Sequence, residues 1–359
     1  MPGKKNILFG SAAIEDLKEE LSIFRKDERE LFLLVDDNTH QLCLPVLKAL
    51  IGKKNFDPVV LEIPAGEQNK NLRRAGDLWS QLTIAGVKRD AVLLTLGGGV
   101  ISDMGGFIAA TYKRGIDVIH IPTTLLGMID AAIGGKTGID FMGYKNHIGS
   151  FYSPQKVFVI PEFLKTLDQQ QWLSGIGELL KYGFIRHPEL LASNVFFDRN
   201  SPEIEAMIEL AALSKMEIVA KDPLDSGIRK ILNFGHTIGH AFESFALGKN
   251  RDLLHGEAVA AGILAELWLS VKYCKLNHRV LQDYKALYLK LFQPFLIQEE
   301  EIEQLMQLML HDKKNAANKL NFVLLKAPAK VVFDIAVEPS DIDACLRWYI
   351  DLLKEHDEA

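Results

Sequence analysis

The sequence predicts two parts: an α/β N-terminal part built on a parallel sheet, and a mostly α-helical C-terminal part. Three observations carry this. Short apolar runs alternate with helix-period segments through the first half, each run ends in polar or glycine-rich residues, and from about Pro161 long helical periods take over. A run that is apolar at every position is buried on both faces, which points to a parallel strand covered by helices.

Leu31-Phe-Leu-Leu-Val35 is one such run, ending in Asp36-Asp37-Asn38, and Pro58 to Ile63 is a second, followed by Pro64-Ala-Gly-Glu67. A helical period follows over 71–85. Ala91 to Leu96 is the third run, ending in Gly97-Gly98-Gly99, with a helical period over 103–112. Val118 to Ile121 is the fourth, ending in Pro122-Thr123-Thr124. Ligands of parallel sheets bind outside the carboxyl ends of the strands, where all these polar endings fall. Helices are then expected over 163–184, 202–220, 254–274 and 280–292, with strands only over 320–325 and 331–333. The boundary is placed at 167, giving domains 1–167 and 168–359. No Pro/Ser linker separates the halves, so they are expected to share a cleft.

Composition narrows the function. With 48% apolar and 25% charged residues in 359, the chain is neither disordered, collagen-like nor a coiled-coil rod. Lys and Arg number 41 against 47 Asp and Glu, a net charge of −6. General nucleic-acid binding needs a broad basic face and is not expected. Small anions stay open, because a pocket can be basic inside an acidic protein. The three cysteines, Cys43, Cys274 and Cys345, are widely spaced and form no Cys-x-x-Cys. That excludes a disulfide framework and a cysteine zinc cluster, and fits a reducing cytosol. From the N-terminal residues no secretory signal is expected. The uncharged stretches 91–102 and 118–129 fall short of the ~18 apolar residues a membrane helix needs, so a cytoplasmic protein without membrane contact is expected.

Three local patterns could carry chemistry. Gly97-Gly98-Gly99-Val100-Ile101-Ser102-Asp103 follows a strand and opens a helix, so backbone and helix N-terminus could approach a pyrophosphate. It is not G-x-G-x-x-G, and a ligand-free tight turn fits it equally. Gly134-Gly135-Lys136-Thr137 is not a P-loop, because Asp130 stands where the first glycine should. An exposed hairpin tip and an anion site, with Lys145-Asn146 nearby, both remain open. In the segment Leu232 to Glu243, His236 and His240 lie four apart on one helix face, while Thr237 rules out the zinc-protease motif. His255-Gly256-Glu257 opens the next helix, and Glu178 sits in an earlier one. Imidazoles and a carboxylate suit a catalytic divalent cation with an open position; histidines satisfied within a helical core are the alternative. Arg114, Lys215, Arg229, Lys313 and Lys314, taken one by one, read as solvated charges.

Together these residues resemble the 3-dehydroquinate synthase family of sugar phosphate cyclases. The likeness runs over about residues 30–330. It is carried by Pro64-x-Gly66-Glu67-x-x-Lys70, Gly97-Gly-Gly-Val-x-x-Asp103, Arg114-Gly115, Pro122-Thr-Thr-Leu-Leu126, Asp130-x-x-x-Gly134-Gly-Lys136-Thr and Lys145-Asn146. It continues through Gly177-Glu178-x-x-Lys181, Arg229-x-x-x-Asn233-x-Gly-His236-x-x-Gly-His240, His255-Gly-Glu257 and Asp312-Lys-Lys314. The resemblance implies an N-terminal dinucleotide-binding domain and a helical metal- and substrate-binding domain, an architecture shared with iron-dependent alcohol dehydrogenases and glycerol dehydrogenases. It implies zinc or cobalt on Glu178, His236 and His255, with His240 handling protons rather than metal. It implies NAD on Asp36, Asn38, Glu67, Lys70, Gly98, Gly99, Val100, Asp103, Thr123, Thr124, Lys136, Lys145, Phe163 and Thr166. Substrate would meet Arg114, Lys136, Asn146, Lys215, Arg229, Asn233, His240 and Lys313 or Lys314. Catalysis would fall to Asp130, Lys136, Lys181, Asp225 and His240. Arg114 would reach a neighbour's site in a homodimer.

The implied activity converts 3-deoxy-D-arabino-heptulosonate 7-phosphate to 3-dehydroquinate and phosphate, in the shikimate pathway of aromatic amino acid biosynthesis. It runs by transient NAD oxidation, phosphate elimination, re-reduction and intramolecular aldol cyclisation. Lys215 and Arg229 stand at positions that grip a carboxylate in this family, and a guanidinium matches a carboxylate bidentately. They favour the heptulosonate acid over sedoheptulose 7-phosphate, the substrate of related cyclases. One departure is Asp225, four before Arg229, where the family usually has Glu; its arm is one methylene shorter. A non-catalytic NAD-binding module and an NAD alcohol dehydrogenase are the other readings weighed.

Overall fold

The computed structural model describes residues 6–52, 56–142, 144–312 and 320–357. These form two units, Met1–Trp172 with Pro202–Leu224, and Leu173–Ser201 with Asp225–Ala359.

In the first unit the apolar runs become strands. The order is β1 (Ile7–Phe9), α1 (Gly10–Lys26), β2 (Leu31–Asp36), α2 (Asp37–Leu42), α3 (Leu44–Ile51), β3 (Val59–Ile63), α4 (Leu72–Ile84), β4 (Val92–Gly97), α5 (Gly99–Thr111) and β5 (Asp117–Pro122). A hairpin, β6 (Lys136–Phe141) and β7 (Tyr144–Phe151), and then β8 (Lys156–Val159) follow. The six-stranded sheet is ordered β1-β8-β5-β4-β2-β3 with every pair parallel. All six residues of β4 are buried, Thr95 among them with its hydroxyl 2.8 Å from His120 Nδ1. The chain leaves β2 for β3 on one side, returns to β4 beside β2, and leaves for β5 on the other. The reversal falls between the carboxyl ends of β2 and β4, where open α/β sheets bind ligands. Helix α5 lies close on β4: a Cβ at Gly105 would stand 2.2 Å from Thr95 Cγ2. Leu34, Leu61, Ile63, Leu78, Leu93, Ile101, Met104 and Phe107 fill the core there.

Two expectations shift. The helix expected over 163–184 is a 3₁₀ turn, Pro161–Thr166, followed by α6 (Gln169–Ile185). Leu167 is extended, and the Asp168 carboxylate accepts the Gln171 N–H at 2.7 Å, so the helix restarts there. The helix expected from 103 begins four residues earlier, at Gly99. The segment Gly134-Gly135-Lys136 opens a hairpin and does not form its tip. The glycines take positive φ of 102° and 68° and turn the chain into β6, so Lys136 is exposed at the base of the hairpin, paired with Phe151.

Helix α7 (Ile204–Lys221) groups with the first unit. The second unit holds α6 from Leu173, α8 (His236–Gly248), α9 (His255–Cys274), α10 (His278–Leu291), α11 (Ile302–Asp312), the antiparallel hairpin β9 (Leu320–Ala327) and β10 (Lys330–Val337), and α12 (Pro339–Asp357). Helix α9 is buried almost all round from Ala258 to Ser270, the signature of a helix at the centre of a core. Helix α8 seats on it backbone to backbone. A Cβ at Gly262 would stand 2.0 Å from the Gly235 carbonyl oxygen. Among the described residues no helix is long and apolar enough to cross a membrane.

Candidate active site

The second unit gathers the histidines around one buried carboxylate. The 3₁₀ turn Ile228–Asn233 ends at Phe234, Gly235 takes a left-handed φ of 80°, and His236 opens α8. His255 opens α9. Glu178, fully buried in α6, points Oε1 at both: 3.2 Å to His236 Nε2 and 3.3 Å to His255 Nε2. Each imidazole is held from behind. His236 Nδ1 lies 3.1 Å from the Phe234 carbonyl oxygen, and His255 Nδ1 lies 3.2 Å from Glu243 Oε2. With Nδ1 so used, Nε2 of each ring faces the Glu178 carboxylate oxygen, and either a proton or a metal cation must lie between them. Ligands about 2.0–2.1 Å from a tetrahedral cation lie about 3.3–3.4 Å apart, which matches the two separations. Two imidazoles and a carboxylate therefore fit a catalytic divalent cation with a position left open.

Charge acts differently on the two rings. Burial alone would raise the Glu178 carboxyl, but Lys181 and His236 hold it well below the usual carboxylate range. Lys181 Nζ pairs with its other oxygen, Oε2. Burial pushes His236 down to about 4, keeping the ring neutral as a ligand must be. Burial also opposes charge on His255, yet Glu243 and Glu178 outweigh it and push the ring up to about 10, so a metal cation must displace a proton from Nε2 there. His240 stands beside both, with ring centroids 5.2 Å from His236 and 5.7 Å from His255. Nitrogen atoms of His236, His240 and His255 lie within 4.8 Å of one another. Arg229 is buried in the turn before α8, which corrects its reading as a solvated charge; Asn233 ends that turn, half-buried. Asp225 is half-buried with a left-handed φ of 59°. Lys313 and Lys314 lie outside the described residues.

In the first unit, Asp36 and Gly97–Gly99 flank the reversal point of the sheet. Gly98 caps α5 without a side chain, and Gly98, Gly99 and Val100 are half-buried, so backbone rather than side chain opens the helix. That suits a pyrophosphate. The Asp36 carboxylate accepts the Thr39 N–H at 2.7 Å, and burial raises its pKa; Asn38 is exposed. Lys70 is buried, with Nζ 2.6 Å from Asp103 Oδ2 and 2.5 Å from Asn146 Oδ1. Burial would lower its pKa, but Asp103 and Glu67 more than reverse this. Lys145 Nζ lies 3.3 Å from Glu67 Oε1. These five predicted residues thus form one cluster.

Thr123 donates its N–H to Gly97 at 3.0 Å, and Thr124 Oγ1 accepts the Gly127 N–H at 3.0 Å, starting the π-helical turn Gly127–Ala131. That turn carries Asp130. Lys215, on α7, reaches it with Nζ 2.7 Å from the Asp130 carbonyl oxygen and 2.8 Å from Oδ2. Lys215 is buried, not solvated as its isolated position suggests, because a partner 85 positions away waits for it. Phe163 is buried, and its carbonyl accepts the Thr166 hydroxyl at 2.8 Å. Arg114 is exposed, with a left-handed φ of 66°.

Two functional positions escaped sequence reasoning. Glu243 backs His255, and its signal was available: it follows His236 by seven residues, two helical turns. Asp140 accepts the Asn146 N–H at 2.8 Å and sits in the Lys70 cluster; only hairpin register reveals it.

Comparison with known proteins places the chain among named relatives. Residues 60–174 match the family model described as 3-dehydroquinate synthase N-terminal, and residues 175–315 the one described as 3-dehydroquinate synthase C-terminal. The chain is 43% identical to a 3-dehydroquinate synthase of Parabacteroides distasonis, over 93% of this chain and 96% of that protein. Among solved structures it is similar to a 2-epi-5-epi-valiolone synthase from Streptomyces hygroscopicus subsp. jinggangensis with NAD+ and Zn2+ bound. That match has 26% identity and a TM-score of 0.79, covering 90% of this chain and 91% of the other. A 2-deoxy-scyllo-inosose synthase complexed with carbaglucose-6-phosphate, NAD+ and Co2+ shares the fold, at 24% identity and a TM-score of 0.81, covering 95% and 96%.

Proposed function

The chain belongs to the 3-dehydroquinate synthase family, and from that membership we infer that it converts 3-deoxy-D-arabino-heptulosonate 7-phosphate to 3-dehydroquinate and phosphate. It is an NAD- and divalent-metal-dependent enzyme. The observation that carries the reading is the meeting of Glu178 Oε1 with Nε2 of His236 and His255, a ligand set that a chain freed from catalysis has no need to keep.

When bound, NAD+ takes and returns a hydride, and the divalent cation polarises the hydroxyl being oxidised. Glu178, His236 and His255 hold the cation, and Phe234 and Glu243 fix the two rings. The first unit would hold NAD at the switch point, between Asp36 and the α5 N-terminus. Arg229 offers its planar fork to the substrate carboxylate, and Asn233, one turn on, orients hydroxyls. Lys136 and Lys215 supply positive charge to the anionic groups, Lys215 pre-set by Asp130. His240 moves a proton at a ring nitrogen, and Lys181 keeps Glu178 ionised. Asn146 and Lys145 sit where Lys70 and Glu67 position them. Asp225 keeps an acid/base role with a shorter arm. The enzyme is read as a cytoplasmic homodimer, in which exposed Arg114 serves a neighbouring site.

The 43% identity to a named 3-dehydroquinate synthase, against 26% to the valiolone synthase, supports the heptulosonate as substrate. Purified protein with zinc, NAD+ and the heptulosonate phosphate should release phosphate and a dehydratase-competent product without net NADH. Absence of phosphate release, or equal use of sedoheptulose 7-phosphate, would overturn the assignment. A steady rise in free NADH would point to a dehydrogenase.

A further inference from the structure

Glu266 lies at the centre of the second unit, fully buried on α9. Its carboxylate is spent on the backbone of α8. Oε2 accepts the Gly235 N–H at 2.7 Å, and Oε1 accepts those of Thr237 at 3.0 Å and Ile238 at 3.4 Å. Helix α8 has no cap of its own, since the residue before it is Gly235. Its first-turn donors are instead satisfied from another helix, by a group whose charge the helix dipole favours. Eleven residues, three turns, separate His255 from Glu266, so both stand on one face of α9. That face receives α8 closely: a Cβ at Gly235 would stand 2.5 Å from Ile263 Cγ1 and 3.0 Å from the Val259 carbonyl oxygen. The residue between the clamped N–H groups of Gly235 and Thr237 is His236.

We propose that Glu266 is a positioning residue of the metal centre, fixing where His236 presents Nε2 by holding the backbone on both sides of it. The proposal rests on the reading of Glu178, His236 and His255 as cation ligands. A carboxylate suits the task because both oxygens accept. In Glu266→Gln one of them becomes an NH₂ that faces a backbone donor, while size and shape are kept.

The test uses the full chain with zinc, competed against a chromophoric chelator, alongside the visible spectrum of the cobalt-loaded protein and urea unfolding. Glu266→Gln should weaken zinc binding by about 10–100-fold and alter the cobalt spectrum. Glu266→Asp, which keeps the charge on a shorter arm, should fall between it and the unaltered chain. Tyr284→Phe removes a buried hydrogen bond to the Ala260 carbonyl on the same helix, 2.9 Å long. It should lower stability and leave zinc affinity within about threefold. Zinc affinity of Glu266→Gln within about threefold of the unaltered chain, or a loss matched by Tyr284→Phe at equal destabilisation, would overturn the proposal. If Glu266→Gln does not fold, Glu266→Asp is judged by the same criteria. An unaltered chain that binds no zinc would instead overturn the ligand reading itself.

Discussion

Glu243 and His255 meet from consecutive helices, Oε2 of the one 3.2 Å from Nδ1 of the other, and this contact leaves Nε2 of His255 facing Glu178. Carboxylates behind a ligating imidazole orient the ring and raise its basicity. Glu243→Gln should therefore keep the fold and weaken zinc affinity by about 10–100-fold. Titration of zinc against a chelator, with circular dichroism as the folding control, reads this directly. Unchanged affinity would mean that the contact is only structural.

Arg229 is buried, and its planar fork is the feature assigned to the substrate carboxylate. Arg229→Lys keeps the charge and loses the second parallel hydrogen bond. A charge-assisted bond of this kind contributes about 1.5–3 kcal/mol, so kcat/KM should drop roughly 10- to 150-fold. Steady-state kinetics on the heptulosonate phosphate would show it. An equal loss on sedoheptulose 7-phosphate, which carries no carboxylate, would be expected only if Arg229 does not meet the carboxylate.

Lys70 and Asp103 form a buried pair in the first unit, 2.6 Å apart. Removing one partner strands the other charge. Lys70→Met should cost about 3–5 kcal/mol in chemical unfolding, and adding Asp103→Leu should restore much of it. If the double substitution is as damaging as the sum of the singles, the two residues are not coupled.

His120 on β5 is buried beside the Thr95 hydroxyl, 2.8 Å from Nδ1, and burial pushes it down to about 4 from 6.5. The unfolded chain takes up a proton near pH 6.5, which the folded chain refuses until about pH 4. This contribution is complete above pH 6.5 and is lost as pH falls toward 4, by about 3 kcal/mol in all. Unfolding free energies measured across that range should fall more steeply for the unaltered chain than for His120→Gln. Parallel slopes would remove His120 as the cause.

The sheet is legible because its central strands are buried on both faces and so carry nearly continuous apolar runs, as Leu31–Val35 and Ala91–Leu94 do. The histidine site was legible for a different reason: His236, His240 and His255 lie close in sequence on helix starts. The extent of the hairpin from Lys136 to Phe151 is not legible in the sequence, which offers only a hairpin tip near Gly134-Gly135, because the exposed alternation of β7 resembles a loop. Lys215 and Arg229 were read as solvated charges when taken alone. Burial of a cation is decided by where Asp130 or a packed turn comes to stand, and no local pattern records that. Glu266 carried no signal either, because a carboxylate in an apolar helix declares its purpose only through the backbone it caps.

The return of α7 to the first unit has a practical meaning for dissecting this protein. The chain passes from one unit to the other three times, after Trp172, Ser201 and Leu224. No single cut therefore frees either unit whole. A fragment ending at Trp172 would forfeit the helix that brings Lys215 to Asp130, and would bare the cavity walls that Met216, Val219 and Ala220 share with Ala132 and Gly135. Chimeras between cyclases of this fold should exchange residues 202–224 together with the N-terminal segment. Swaps at the apparent midpoint would join a sheet from one parent to a helix selected to fit another.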